Sequence, residues 1–435
     1  MAKFLIGTTP MVGPVAPAGK IAKALADRGH EVRWYTGSRF RKRVEISGAV
    51  FEPMVTARDY SEMAVPEAFP RVMGKTGLKA LKTIFEDAFV DTAKAQLKDV
   101  QAILSRFPAD VVLSDSVFLG GALAHALGGP PFAKFGDTVL GHRSRDTAPH
   151  GSALPPSSSP LGRLRNRALQ WVHGRLVMRD LRSKLDGVRK QLGLPRGPRY
   201  FFDAFDSPFL WLQCSVPSFE YPRSDLPPMI HFIGPVLPDP MPDFTPPTWW
   251  PEMQERRRPV VHVTQGTWAT EADALLFPTI EALADQPVQV VATTGGGAVD
   301  QVLGGRKLPA NTKLETFLPH TALLPHVDIM VTNGGANGVQ AALAHAVPMV
   351  VAGNTEEKPE VAMRVAWSGV GIDLRTGKPT QKQIRDAVRR ILALPSFKAA
   401  AKRIAGDIAK HDAPREAAEL LERLASTKQM IARPS

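Results

Sequence analysis

The sequence predicts two α/β domains, each a parallel sheet covered by helices. Short apolar runs with strand character alternate with helix-patterned stretches, first over residues 3–213 and again over 260–353. Between the two series lies "HFIGPVLPDPMPDFTPPTWWPEMQERRRP", residues 231–259, too rich in proline for a helix or a central strand. A chain of 435 residues also has room for two or three domains.

The first strand, 3–7, carries Phe4, Leu5 and Ile6. It leads through the turn-like "TTPMVGPVAP" into a helix read over Gly19–Arg28. There Ile21, Ala22 and Leu25 share a stripe, and Gly29 takes the place of a C-terminal cap glycine. Further strand-like runs stand at 31–36, 110–114, 131–135 and 209–213. The second series comprises 260–266, 288–296, 313–318, 327–335 and 347–353. A last helix, Ala413–Leu424, puts Ala417, Leu420, Leu421 and Leu424 on one stripe. These elements give a first domain over 1–235, a proline-rich linker over 236–258 and a second domain over 259–412. The terminal helix, 413–426, is expected to pack back onto the first domain.

Composition narrows the class. The chain is 44% hydrophobic and 22% charged, as globular proteins are. Its one cysteine, Cys214, sits in the apolar run "FLWLQCSVPSF" and reads as a core residue. The N-terminal apolar run is too short for a signal peptide, and no stretch has the length of a spanning helix, so a cytoplasmic protein is expected. A formal charge of +12 favours polyanionic partners. Much of it lies in the basic segment 163–200, where leucines recur at helical spacing. That segment reads either as a solvated face or as peripheral contact with an anionic membrane, at the inner face. Zinc spacing and aromatic-basic interleaving are missing, which argues against nucleic acid.

Chemistry first appears in "VTNGGANGVQAALAHAVPMVV", 331–351. A strand ends at Thr332, a glycine-rich turn follows, and a helix starts near Asn337. Backbone N–H groups at such a start carry partial positive charge, and glycines let a phosphate come close. The stretch is a pyrophosphate cradle on physical grounds, though neither a P-loop nor a dinucleotide fingerprint.

With "FLPHTALLPH" before it and "NTEEKPEVAMRVAW" after it, the chain resembles the inverting nucleotide-sugar-dependent glycosyltransferases of family 1. That family includes macrolide, glycolipid and plant natural-product transferases. The opening "GPVAP…ALADRGHEV" and the "FIGPVLP" that closes the first domain fit as well, so the resemblance covers almost the whole chain. It implies a GT-B fold, two Rossmann-like domains facing across a cleft. A uridine or deoxythymidine diphosphate sugar would be the donor substrate, an apolar small molecule or lipid the acceptor, and no cofactor or metal would be needed. It implies that Phe317 stacks on the base, that the Leu318 backbone reads the base edge and that His320 approaches the ribose. Thr267 would bind a phosphate oxygen. Asn333, Gly335, Asn337 and Gly338 would hold the diphosphate, and Glu357 with Lys358 would grip the sugar. A nucleotide-sugar 2-epimerase of similar architecture and a non-catalytic nucleotide-sugar or lipid binder are the alternatives.

The sequence departs from the family pattern where the chemistry should be. Asn333 replaces a histidine, Ala341 a ribose-binding glutamate and Lys358 a neutral amide. Lys358 is expected to meet a sugar oxygen or a carboxylate, or to pair with Glu357. The family's Gly-His-x-x-Pro loop reads Gly13-Pro14-Val15-Ala16-Pro17 here, so the usual base is missing while its aspartate partner survives as Asp115. The base is then Asp115, directly or through water, or a group of the following loop: Asp137, His142, Asp146 or His150. Otherwise the acceptor needs no strong base, or the protein only binds.

Overall fold

The computed structural model describes residues 1–75, 77–266 and 271–434. Two sheets form, and every strand pairing in them is parallel. The first contains β1 (Lys3–Gly7), β2 (Glu31–Thr36), β3 (Val50–Pro53), β4 (Val111–Ser114), β5 (Phe132–Gly136), β6 (Leu210–Gln213) and β7 (Ile230–Phe232). Its order is β3-β2-β1-β4-β5-β6-β7. The second contains β8 (Val260–Thr264), β9 (Gln289–Thr293), β10 (Thr312–Glu315), β11 (Ile329–Thr332), β12 (Met349–Val351) and β13 (Gly371–Asp373), in the order β10-β9-β8-β11-β12-β13.

Both faces of each sheet are covered, so central strands read as unbroken apolar runs. Phe4 and Ile6 of β1 face one core cluster and Leu5 faces another; buried Cys214 joins the first. In each sheet the strand order reverses direction once, between β1 and β4 and between β8 and β11. The crevice for a ligand opens at that point, beyond the carboxyl ends of those strands.

Three differences from the sequence reading matter. First, the opening helix runs Val12–Asp27, so the segment read as a loop tip is its first turns. Pro14 falls at the third helical position, where an N–H has no intrahelical acceptor to lose; Pro17 forgoes one bond. Second, β3, β7 and β13 are three or four residues long, too short for a periodic signal, and they exist through pairing with a neighbour. Third, β7 places part of the proline-rich stretch inside the first sheet.

The helix Ala413–Thr427 lies against Val12–Asp27. Ala417, Leu421 and Leu424 share a core with Ile21 and Leu25, and Arg28 forms a paired bond to Glu422 at 2.7 Å. Among the described residues, no helix is long and apolar enough to cross a membrane.

Candidate active site

One wall of the cleft forms where β1 and β4 end. Asp115 follows β4 and is buried with both oxygens occupied. Oδ2 accepts the Thr9 amide at 2.5 Å and the Thr9 hydroxyl at 2.8 Å, and Oδ1 accepts the Val117 amide at 2.8 Å. Burial raises its pKa against the pull of these donors. Asp137 is the first residue past β5. Its Oδ1 accepts the Ser116 hydroxyl at 2.6 Å, and its Oδ2 lies 3.7 Å from where a Cβ on Gly13 would stand. Burial, reinforced by the charge of Asp115, pushes its pKa up to about 6. A carboxyl that titrates near neutrality therefore sits against the residue preceding Pro14. Tyr60, buried with a hydroxyl that has no partner among the described residues, lies in the field of Asp115.

The other wall forms where β8 and β11 end. Gly334, at φ 88°, turns the chain into the helix Ala336–Ala344, with Gly335 at its N-cap and Asn337 and Gly338 in its first turn. Among the described residues no N-cap side-chain bond closes that start, so its amides remain donors for a ligand. Asn333 is buried and bridges the wall: Nδ2 donates to the Gln265 carbonyl, and Oδ1 accepts the Gly335 amide at 3.3 Å. A Cβ on Gly353 would run into the Asn333 carbonyl, so glycine is required there. Cε1 of His320 lies 3.8 Å from where a Cβ on Gly338 would stand, and burial lowers the pKa of the imidazole. Phe317, just past β10, is 61% exposed, an open ring with no core role, whereas Leu318 is buried. Glu357 opens the helix Lys358–Trp367. Burial raises its pKa, Lys358 opposes the rise, and the charges of Glu356 and, less, Asp137 add to it. Lys358 is buried and pairs with Glu356 and the Thr355 hydroxyl rather than with Glu357. Thr267 lies outside the described residues.

Residues 278–424 match the family described as erythromycin biosynthesis protein CIII-like, C-terminal domain. Over 424 residues the chain is 49% identical to the 4'-demethylrebeccamycin synthase of Lentzea aerocolonigenes, covering 97% of this chain and 99% of that one. The chain belongs to the family 1 glycosyltransferases of the GT-B fold. The UDP-glucosyltransferase A1 of Starmerella bombicola is 31% identical over 96% of this chain and 91% of its own length. A crystal structure of a calicheamicin glycosyltransferase shares the fold, with a TM-score of 0.76 at 22% identity over 98% of this chain and 99% of that one. So does the glycosyltransferase VinC in complex with DTDP, with a TM-score of 0.65 at 22% identity and the same coverage. The 2-epimerase alternative finds no support in these comparisons.

In this glycosyltransferase His142 and Asp146, on the loop that follows β5, have partners other than Asp137, whereas the buried Nδ1 of His150 has none among the described residues. The ring of His142 bonds Asp206 through Nδ1 at 2.8 Å, and Asp206 also holds Lys134 at 2.8 Å. For Asp146, burial opposes ionisation, but the Ser224 donors and Arg163 outweigh it and hold the pKa at about 2. His150 packs its ring on Phe202 at 6.0 Å, and its environment is set by burial and then by Glu360 and Arg364 of the second domain.

Glu360 and Arg364 belong to an interdomain clamp that the sequence reading missed. Glu360 Oε1 accepts the Gly151 and Ala153 amides at 2.9 and 2.8 Å, while its Oε2 takes Arg364 at 3.0 Å. Arg364, fully buried, also bonds Glu220 at 2.8 Å and the Leu140 carbonyl at 3.1 Å. Glu220 in turn accepts the Leu140 amide at 2.7 Å. The helix that starts at Lys358 thus holds the loop that starts at Asp137. Nothing local in "KPEVAMRV" separates these charges from solvated ones.

Proposed function

We propose that this glycosyltransferase moves a sugar from a uridine or deoxythymidine diphosphate sugar to an apolar small-molecule acceptor, with inversion and without a metal, and that Asp137 is its base. The observation that carries this is the position of Asp137 against Gly13, the residue before Pro14, with a pKa pushed up to about 6. Asp115 has both oxygens engaged, so it supports rather than reacts: its charge raises Asp137, and its bonds fix the turn after β1.

In the reaction Asp137 takes the proton from the acceptor hydroxyl as that oxygen attacks the anomeric carbon. The bond from that carbon to the diphosphate oxygen breaks on the opposite face, and the nucleotide leaves with the electron pair. The amides at the start of Ala336–Ala344 face the charge that develops there, the role a metal takes elsewhere. Phe317 offers the stacking surface for the base, with His320 beside Gly338 at the ribose and Glu357 with Lys358 at the sugar. Thr267 is assigned to a phosphate oxygen by the family pattern alone. The thymidine option has support from the structural neighbour solved with DTDP, the uridine option from the relative named as a UDP-glucosyltransferase. A small natural-product acceptor has support from the relative named for making 4'-demethylrebeccamycin.

The test is single-turnover transfer in EDTA at saturating donor, with nucleotide-induced thermal stabilisation as the control. Asp137→Asn is expected to stop transfer and leave stabilisation intact. Full transfer by Asp137→Asn would refute the assignment of the base, and loss of all transfer in EDTA would refute metal independence.

A further inference from the structure

The helix Pro160–Val172 and its π-helical continuation, His173–Val177, are built inside out. Their uncharged polar side chains face the protein. Asn166 is buried and donates to the carbonyls of Arg145 and Ser157, and Gln170 donates to those of Ser144 and Thr147. Four large apolar side chains face out instead, Leu161 at 79% exposed, Leu164 at 63%, Trp171 at 49% and Leu176 at 60%, while Val177 packs against the core. Leu161, Leu164 and Trp171, three and seven residues apart, share one face with Ala168 and Val172, and the wider π-helical turn that follows brings Leu176, five residues on, back beside them. A continuous apolar stripe on a surface helix marks a contact surface.

We infer that this stripe is an interfacial helix that lies on an anionic lipid surface. Charge selects the partner. Arginines stand at 163, 165, 167, 175 and 179, and no acidic residue occurs from 160 to 179. Among the described residues Arg167, Arg175 and Arg179 make no ion pair, so their charge is available to headgroups. A tryptophan in the stripe suits the boundary between headgroup and acyl chain. The same helix holds the loop Ser144–Ser157 through Asn166 and Gln170, and that loop is clamped to the second domain by Glu360. Docking would set the acceptor side of the cleft beside the lipid, where apolar acceptors concentrate. That consequence rests on the reading of the first domain as the acceptor domain; the docking does not.

The test is flotation of the full chain with vesicles of phosphatidylcholine alone or mixed with phosphatidylglycerol, with no donor or acceptor present. The mixed vesicles are expected to carry the protein, the neutral ones little of it, and added salt to release it. Replacing Leu161, Leu164, Trp171 and Leu176 by serine is expected to abolish flotation. Arg167, Arg175 and Arg179 changed to glutamine should weaken it by on the order of 100-fold. Nucleotide-induced thermal stabilisation should survive in both variants and shows that they fold. No flotation with the mixed vesicles, or flotation that ignores both variants, would overturn the inference. Self-association that the serine variant abolishes, without vesicle binding, would assign the stripe to a second copy instead.

Discussion

The two walls of the cleft are the same piece of architecture with opposite chemistry. Each lies beyond the strand ends where a parallel sheet reverses its order, and each opens a helix toward the cleft. On the second-domain wall the groups at the switch point are donors and neutral dipoles: the amides after Gly335, Asn333 and a histidine whose pKa burial lowers. On the first-domain wall they are carboxyls, Asp115 and Asp137, stacked so that one raises the other. An anionic leaving group needs the first kind of wall and an acceptor proton needs the second. The fold supplies two equivalent crevices, and in the proposed reaction the sign of the side chains at the strand ends decides which reactant each receives.

The largest expected effect breaks that comparison on the acid wall. Asp137→Asn should lower single-turnover transfer by roughly 10²–10⁴, the usual worth of a positioned base, while nucleotide binding is kept. With Asp137 intact the rate should rise with pH through about 6 and level off, because only the ionised carboxyl accepts a proton. Asp115→Asn should cost less and shift that profile to lower pH, since the repelling charge is removed. An unchanged profile in Asp115→Asn would show that the two carboxyls are not coupled.

On the donor wall, Phe317→Ala should weaken nucleotide binding by roughly 10- to 100-fold, the loss expected when an aromatic no longer stacks on a base. Transfer at saturating donor should change little. Calorimetry with uridine and thymidine diphosphates measures the first quantity and single-turnover kinetics the second. An equal loss in both would mean that Phe317 does more than bind.

The clamp between the walls should have a smaller effect. Glu360→Ala removes the acceptor for the Gly151 and Ala153 amides and should raise the acceptor KM by about tenfold at unchanged nucleotide affinity. Glu360→Gln keeps an oxygen for those amides and should recover much of the loss. If donor affinity falls instead, the clamp serves the second domain alone.

How legible each wall is follows from how local it is. The donor wall lies mostly in one stretch, 317–358, so its turn, helix start and exposed Phe317 appear in sequence order. The acid wall joins Gly13, Asp115, Ser116 and Asp137 from three strand ends, and Asp137 in "KFGDTV" resembles any loop aspartate until β5 places it against Gly13. The alternation of strands was readable because buried parallel strands are apolar on both faces. The prolines at 14 and 17 hid the true start of the first helix. Lys358 was misleading for a different reason: its partner Glu356 sits at φ 54°, a backbone turn that adjacency in sequence does not reveal. The clamp was unreadable because Glu220 and Arg364 are charged residues 144 positions apart.

The smallest effect separates a base from a structural carboxyl. Burial and the charge of Asp115 push the Asp137 carboxyl up to about 6, against about 3.9 for a free aspartate. A raised carboxyl favours its protonated form in the folded state. Its contribution to stability is therefore fully present below the unfolded pKa and is lost as pH rises through about 6. At pH 7 the ionised Asp137 weakens the fold, by about 1–3 kcal/mol. Asparagine in its place still accepts the Ser116 hydroxyl and carries no charge beside Asp115. Asp137→Asn should therefore melt a few degrees higher than the parent at pH 7 and level with it near pH 4. A structural carboxyl such as Asp146, with its pKa held at about 2 by Ser224 and Arg163, should behave in the opposite way. Asp146→Asn should melt lower at pH 7, where the paired charge stabilises the fold, and the difference should shrink as pH falls toward 2. Thermal melts of both variants across that range decide the matter: if Asp137→Asn is destabilising at pH 7, its carboxyl holds the fold together and a different group takes the proton.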